Sequence, residues 1–207
     1  VGLAAMLQPN GVKLALIDTN PVLGYKKFTA NDDNYLMLSD DGRVSADLLL
    51  KASGGMGLRV YSNDENTDAL QDITVSMSNF NLDKIVSVIP YMPDISGIMD
   101  GDFHVIQTKE ELSVSSNLQI DNMVYEKCPM GDVGTEFTYM PKSDGSHYVD
   151  GFLTYEGEEV ASVKGTYQSE GAGYLDAEVG MEKLPLHFVN GFVPDQIVGL
   201  EGYGEGK

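Results

Sequence analysis

The side chains able to do chemistry are few and scattered. Three histidines, His104, His147 and His187, stand apart, and none has a second histidine two, three or four residues away. No metal pair arises from such spacing. The single cysteine, Cys128, excludes an intrachain disulfide and a four-cysteine zinc site. Its setting, YEKCPMGD, matches no reactive-cysteine pattern, and a small apolar or exposed thiol is the plainer reading. Acids gather as Asp32 with Asp33, Asp40 with Asp41, and Asp64 with Glu65 and Asp68, none at EF-hand spacing. Turn acids facing solvent account for them better than calcium ligands do. There is no Gly-x-Ser-x-Gly elbow, and the GGMG run at 54–57 lacks the Gly-Lys-Ser/Thr ending of a phosphate loop. Paired carboxylates for glycoside hydrolysis are available in any acidic β protein, but a chain without tryptophan lacks a common sugar-stacking surface. The residues therefore point to no catalytic group, metal or cofactor, and the chain reads as no enzyme.

A glycine motif does recur. YMPDISGIMDGDF sets Pro93 and Asp94 ahead of Gly97 and Gly101. FVPDQIVGLEGYGEGK sets Pro194 and Asp195 ahead of Gly202 and Gly206. Leu82 and Leu186 lie 104 residues apart, and each glycine lies 105 residues from its counterpart. Each copy follows a short segment at helical spacing. The first is NLDKIVSVIPYM, with Asn81 as N-cap and Pro90 as stop; the second is PLHFVNGF, with Pro185 in the first turn and Gly191 as stop. Pro-Asp stops the chain, and Gly97 and Gly101 let it turn and launch the next strand where a side chain would crowd. Two repeat units, punctuated near 82–101 and 186–206, would then make up one elongated body over 1–207.

The segments between these marks alternate at period two, the strand signal. Val44, Ala46, Leu48 and Leu50 share one face opposite Ser45 and Asp47. Ile73, Val75 and Met77 stand opposite Thr74 and Ser76; Leu112, Val114, Leu118 and Ile120 follow; Leu175, Ala177, Val179 and Met181 oppose Asp176 and Glu178. Polar turn clusters such as NDDN, SDDG and KSDGS separate the runs, giving about fourteen short strands. Their summed apolar face exceeds what two short helices can cover. A sandwich, a barrel or a sheet curved about an apolar channel would each answer that need, and composition by itself favours a β-sandwich.

Bulk properties set further limits. The chain has 207 residues, 42% of them apolar, so it can bury a core. Thirty-two acids against 13 bases leave a net charge of −19. Such acidity argues against nucleic acid and against docking on an anionic bilayer. No apolar run reaches the ~18–20 residues of a membrane span. A start without methionine and a stop inside the second motif suggest a piece of a longer protein.

The stretch from NFNLDKIVSVIPYMPDISGIMDGDFHV to PLHFVNGFVPDQIVGLEGYGEGK resembles the C-terminal domain of the TamB (translocation and assembly module) family, within the AsmA-like superfamily. Leu82, Pro93, Asp94, Gly97, Gly101 and Asp102 carry the likeness in one copy; Pro185, Leu186, Asn190, Phe192, Pro194, Gly202 and Gly206 carry it in the other. DGRVSADLLLK also looks like a strand entry of this family, so that the likeness spans residues 25–207. The resemblance implies an all-β fold: an elongated, strongly curved β-sheet, U-shaped in section, with two short helices. It implies a periplasmic protein of a Gram-negative bacterium whose parent is anchored in the inner membrane. Its partners would be phospholipid and a TamA-like outer-membrane barrel protein. The chain departs from better-known members in its strong acidity.

On this reading the groove is lined from Val44, Leu48 and Leu50, through Ile73, Val75, Met77, Leu112, Val114 and Leu118, to Leu175 and Val179. It would shield or conduct acyl chains between the two membranes. About fourteen strands at ~4.8 Å would make a segment of roughly 65 Å. The alternative is a scaffold offering strand edges to nascent outer-membrane barrels, marked by an exposed, uncharged terminal strand. A third reading is a carbohydrate-active or adhesin-like sandwich.

Overall fold

The computed structural model describes residues 2–18, 20–23, 26–86, 89–168, 171, 173–193 and 199–207. Pro194 and Asp195 of the second motif lie outside them. The chain runs as strands β1 (Leu3–Gln8), β2 (Gly11–Leu16), β3 (Val22–Leu23), β4 (Lys26–Ala30), β5 (Tyr35–Ser39), β6 (Val44–Ala52), β7 (Gly57–Ser62) and β8 (Gln71–Asn81). Helix α1 (Leu82–Val86) follows. Next come β9 (Ile95–Gln107), β10 (Leu112–Tyr125), β11 (Cys128–Pro141), β12 (Ser146–Tyr155), β13 (Glu158–Gln168) and β14 (Tyr174–Pro185). Helix α2 (Phe188–Phe192) and β15 (Tyr203–Gly206) close it.

These strands form one large, strongly curved antiparallel sheet that does not close into a barrel. The fold is all-β with two short helices, as the alternation predicted; among the described residues no second sheet packs on the first to make a sandwich. The strands are longer than expected, β10 and β11 reaching 14 residues each. From β5 to β15 each strand pairs with the next in sequence. Near the start the edge of β6 is shared: β5 pairs along Val44–Asp47, and β4 along Leu50–Ala52. Two asparagines splice this junction, Asn31 Oδ1 accepting from Leu49 N at 2.9 Å and Asn34 Oδ1 from Leu16 N at 2.7 Å.

Both glycine motifs sit beside a strand–helix–strand unit of the same design. In β8–α1–β9, Met77 pairs with Gly101; a bulge follows, and Phe80 then pairs with Met99. In β14–α2–β15, Met181 pairs with Gly206, a bulge follows, and Leu184 then pairs with Gly204. The bulges hold Asn79 and Lys183 at positive φ, 47° and 58°. Gly97 and Gly101 lie inside β9, so they do not turn the chain or launch the strand. Crowding is nonetheless their physical reason. A Cβ on Gly101 would collide with the Asn117 carbonyl oxygen and sit 2.8 Å from Leu118 Cα, at a φ of +148°. Asp94 lies immediately before β9, its N–H donating to Glu126 Oε1 at 3.0 Å.

The helices differ from expectation in detail. Asn81 caps α1, accepting from Lys84 N at 3.3 Å. Pro185 lies at the end of β14 and is buried, rather than opening α2. Gly191 lies within α2 and does not end it; a Cβ there would meet Met130 Cε at 2.7 Å and Tyr125 Cδ1 at 3.1 Å. Close approach to the Tyr125 ring and the Met130 methyl favours a residue without a Cβ here.

Candidate functional site

Directly paired residues of an antiparallel sheet share a face, so register decides which side chains assemble. One row runs Leu48, Val60, Val75, Phe103, Ser116, Phe137, Gly151, Val163, Val179. A second runs Ile73, Val105, Val114, Tyr139, Val149, Gly165, Ala177. A third links Leu50, Leu58, Met77, Gly101, Leu118, Thr135, Leu153, Ala161 and Met181. Val44, Leu112 and Leu175 fall on this face by strand parity. The register therefore brings all the sequence-predicted lining residues onto one continuous apolar face. The opposite face carries Asp47, Ser76, Asp102, Glu136, Asp150 and Glu178.

The apolar face is unevenly covered. Phe28, Ala30, Leu50, Met56 and Phe80 pack into a closed cluster, leaving Leu50 only 3% exposed, so Leu50 is core and not accessible lining. Towards β14 the cover is lost: Val163, Val179 and Leu175 are 38%, 51% and 72% exposed. Folded surface totals 12,678 Å². A compact monomer of this 22.5 kDa mass would show roughly 9,500 Å². The excess fits a sheet whose apolar side lacks a full second layer.

The two margins of the face differ. At the margin where β8, β10, β12 and β14 end, α2 packs its rings onto the sheet. Tyr155 meets Phe188 at 5.5 Å and His187 at 5.7 Å between centroids, and Tyr125 meets Phe192 at 5.1 Å. Cys128 is half-buried here, its thiol 3.4 Å from the His187 carbonyl oxygen, consistent with an inert small side chain. At the other margin Tyr139 and His147 stack at 5.9 Å, and His147 lies 6.2 Å from Tyr167. Tyr139 Oη and His147 Nδ1 are 2.8 Å apart. These rings, with Val149, Val163 and Leu175, border an apolar cavity of about 480 Å³. Between the margins Phe103 and Phe137 meet edge to face at 6.5 Å on either side of Ser116. The buried Ser116 hydroxyl has no hydrogen-bond partner among the described residues.

The third histidine works on the polar face. His104 Nε2 lies 2.7 Å from Oδ1 of Asp72, which is 7% exposed. Asn66 and Asn63 donate to its other oxygen at 2.8 and 3.3 Å, tying the β7–β8 loop down. Burial alone would push the Asp72 carboxyl up, but these hydrogen bonds outweigh it and hold the group below the usual carboxylate range. Along the same face Tyr148 donates to Asp150 at 2.7 Å and Lys164 lies 3.6 Å from it. The hydrogen bond to Asp150 raises the Tyr148 phenol and lowers the carboxyl.

Sequence reasoning missed the Tyr139–His147–Tyr167 rim and the Asp72–His104 pair. Neither has a spacing signal, because each is assembled across strands. Among the described residues no three His, Cys, Asp or Glu side chains gather to hold a metal, and no helix is long and apolar enough to cross a membrane. No protein-family model matches this chain, and neither a curated protein nor a solved structure matches it.

Proposed function

We propose that the chain is a non-enzymatic segment of a TamB-like envelope protein, and that its apolar sheet face shields or conducts phospholipid acyl chains. The observation that carries this reading is the continuous apolar face, seven strands wide from β8 to β14, with no second sheet over it among the described residues. An acyl chain gains ~0.8 kcal/mol per CH₂ removed from water. Rows of Val, Leu, Met and Phe without an interposed charge offer that gain at nearly uniform value, which suits sliding. The Tyr139–His147–Tyr167 rim supplies amphipathic rings of the kind that sit where apolar surface meets water. A periplasmic location, an inner-membrane anchor on the parent protein and a TamA-like partner belong to the same proposal and rest on the sequence resemblance.

Photo-crosslinkers at Val75, Val114 and Val179, compared with Asp47 and Asp176 on the polar face, test it in lipid-containing extracts. Lipid adducts confined to the first set are expected; equal adducts on both faces would end the groove reading. The scaffold reading has β1 on its side. This edge strand is uncharged, pairs among the described residues with β2 alone, and leaves Leu3 and Leu7 64% and 88% exposed. Crosslinks from β1 to nascent barrels, with none to lipid, would favour it.

A further inference from the structure

Each copy of the glycine motif sets an aromatic and an apolar residue just before its Pro-Asp, Tyr91 and Met92 in one, Phe192 and Val193 in the other. Tyr91 is fully exposed, and Ile89 and Met92 beside it are 47% and 48% exposed. Phe192 is 68% exposed, with one side of its ring towards Tyr125. Tyr91 holds a φ of +67°, a left-handed conformation uncommon for a bulky side chain. Its tip stands on a fixed base. Leu82 and Val86 of α1 are buried, and Ile89 N donates to the Val86 carbonyl at 3.0 Å. Asp94 and Glu126 exchange two hydrogen bonds, Asp94 N donating to Glu126 Oε1 at 3.0 Å and Glu126 N to the Asp94 carbonyl at 2.8 Å. The Tyr91 tip lies inside the sheet, between strands paired on both sides, so no chain end accounts for its exposure. Both tips lie on one margin, where β8 and β14 end. They are six strand spacings apart, about 29 Å along the sheet.

We infer that the Tyr91 and Phe192 tips are membrane anchors that seat this margin in the headgroup layer of a zwitterionic bilayer. Shape favours a fluid layer. Each tip is a projection, and an apolar projection is covered either by a matching recess or by a layer that flows round it. A bilayer accepts two such tips at any separation, whereas a protein partner would need two recesses at this spacing. A ring beside aliphatic side chains is also the composition that settles where hydrocarbon meets headgroups. Charge chooses the lipid. The turns between the tips, Glu126–Lys127 and Glu156–Gly157, hold one base against two acids. An anionic surface is drawn by a cluster of Lys and Arg, and a chain of net charge −19 is repelled by it. The inference does not rest on the acyl-chain reading, because it uses the margin of the sheet and not its apolar face.

The chain has no tryptophan, so Tyr91→Trp places a single reporter in the intact protein at a fully exposed site. Its emission is followed on adding vesicles of phosphatidylcholine and phosphatidylethanolamine, with and without brominated acyl chains. A blue shift that the bromines quench is expected, and Phe192→Trp should respond in the same way. Tyr174→Trp, on the opposite margin and 49% exposed in the parent residue, should not respond. In co-sedimentation, Ile89→Ser and Met92→Ser together should weaken vesicle binding at least about tenfold, since both lose the gain of leaving water. Adding phosphatidylglycerol to the vesicles should weaken binding of the unaltered chain. Three outcomes would overturn the inference: emission from Tyr91→Trp unchanged by vesicles, an equal shift from Tyr174→Trp, or tighter binding to the anionic vesicles. Crosslinking at Val75, Val114 and Val179 decides the acyl-chain reading separately, whatever the tips do.

Discussion

Asp72 and Gly101 show how single residues hold adjacent strands together. Asp72 is buried, and it spends its oxygens on His104, Asn66 and Asn63. Replacing it with alanine leaves those donors without their acceptor and should cost about 1–3 kcal/mol in urea unfolding. Its folded carboxyl titrates below the ordinary value. The unfolded chain thus holds that proton more tightly. Its contribution is fully present above about pH 4 and is lost as pH falls through the lower folded value. Asp72→Asn should accordingly flatten the acid limb of a stability–pH curve; an unchanged limb would contradict the pairing. Gly101 answers to sterics instead. Gly101→Ala forces a Cβ onto the Asn117 carbonyl at a left-handed φ and should cost at least ~1–3 kcal/mol, with disturbed amide shifts on β10.

Among the elements, α2 is the test of how the apolar face is roofed. Phe188 is 8% exposed and lies against Tyr155. Phe188→Ala should cost about 3–5 kcal/mol and release α2 first, seen as early exchange of the amides at 188–192 ahead of the strands. The strands themselves were legible in the sequence, since alternating side chains point to opposite sides whatever the neighbours are. This is why Val75, Val114 and Val179 could be assigned to one face from pattern alone. Pairing was not legible, because period two says nothing about register. Tyr139, His147 and Tyr167 become neighbours only through the β11–β12 and β12–β13 ladders. Pro185 misled for a different reason: a missing N–H is tolerated equally in a first helical turn and at a strand end. Gly191 looked like a stop and proved to be a contact point, because the helix passes close to Met130 and Tyr125, where a residue without a Cβ fits best.

For the whole molecule, the unroofed face should register in the unfolding transition. A chain of this mass exposes roughly 32,600 Å² when unfolded. With 12,678 Å² retained in the folded state, the area released is about one-seventh less than for a compact protein of equal length. The urea m value should fall short by that fraction. An m value typical of a compact domain of 207 residues would mean that the face is closed in solution.

The meander order of the sheet has a consequence for how the chain is made. From β7 onward every strand finds its partner in the strand just before it, and among the described residues only β5, which reaches back to β2, and β6, which also pairs β4, depart from that order. Closing only short loops keeps the entropic cost of each step small. The polypeptide can therefore harden strand by strand as it emerges from a ribosome or a translocon, each new hairpin templated on the last. During such vectorial growth only the newest strand presents an unpaired leading edge, and every addition covers the edge before it. Interruption at any hairpin boundary leaves a shorter sheet instead of a misfolded one, which makes length a freely adjustable property of this architecture.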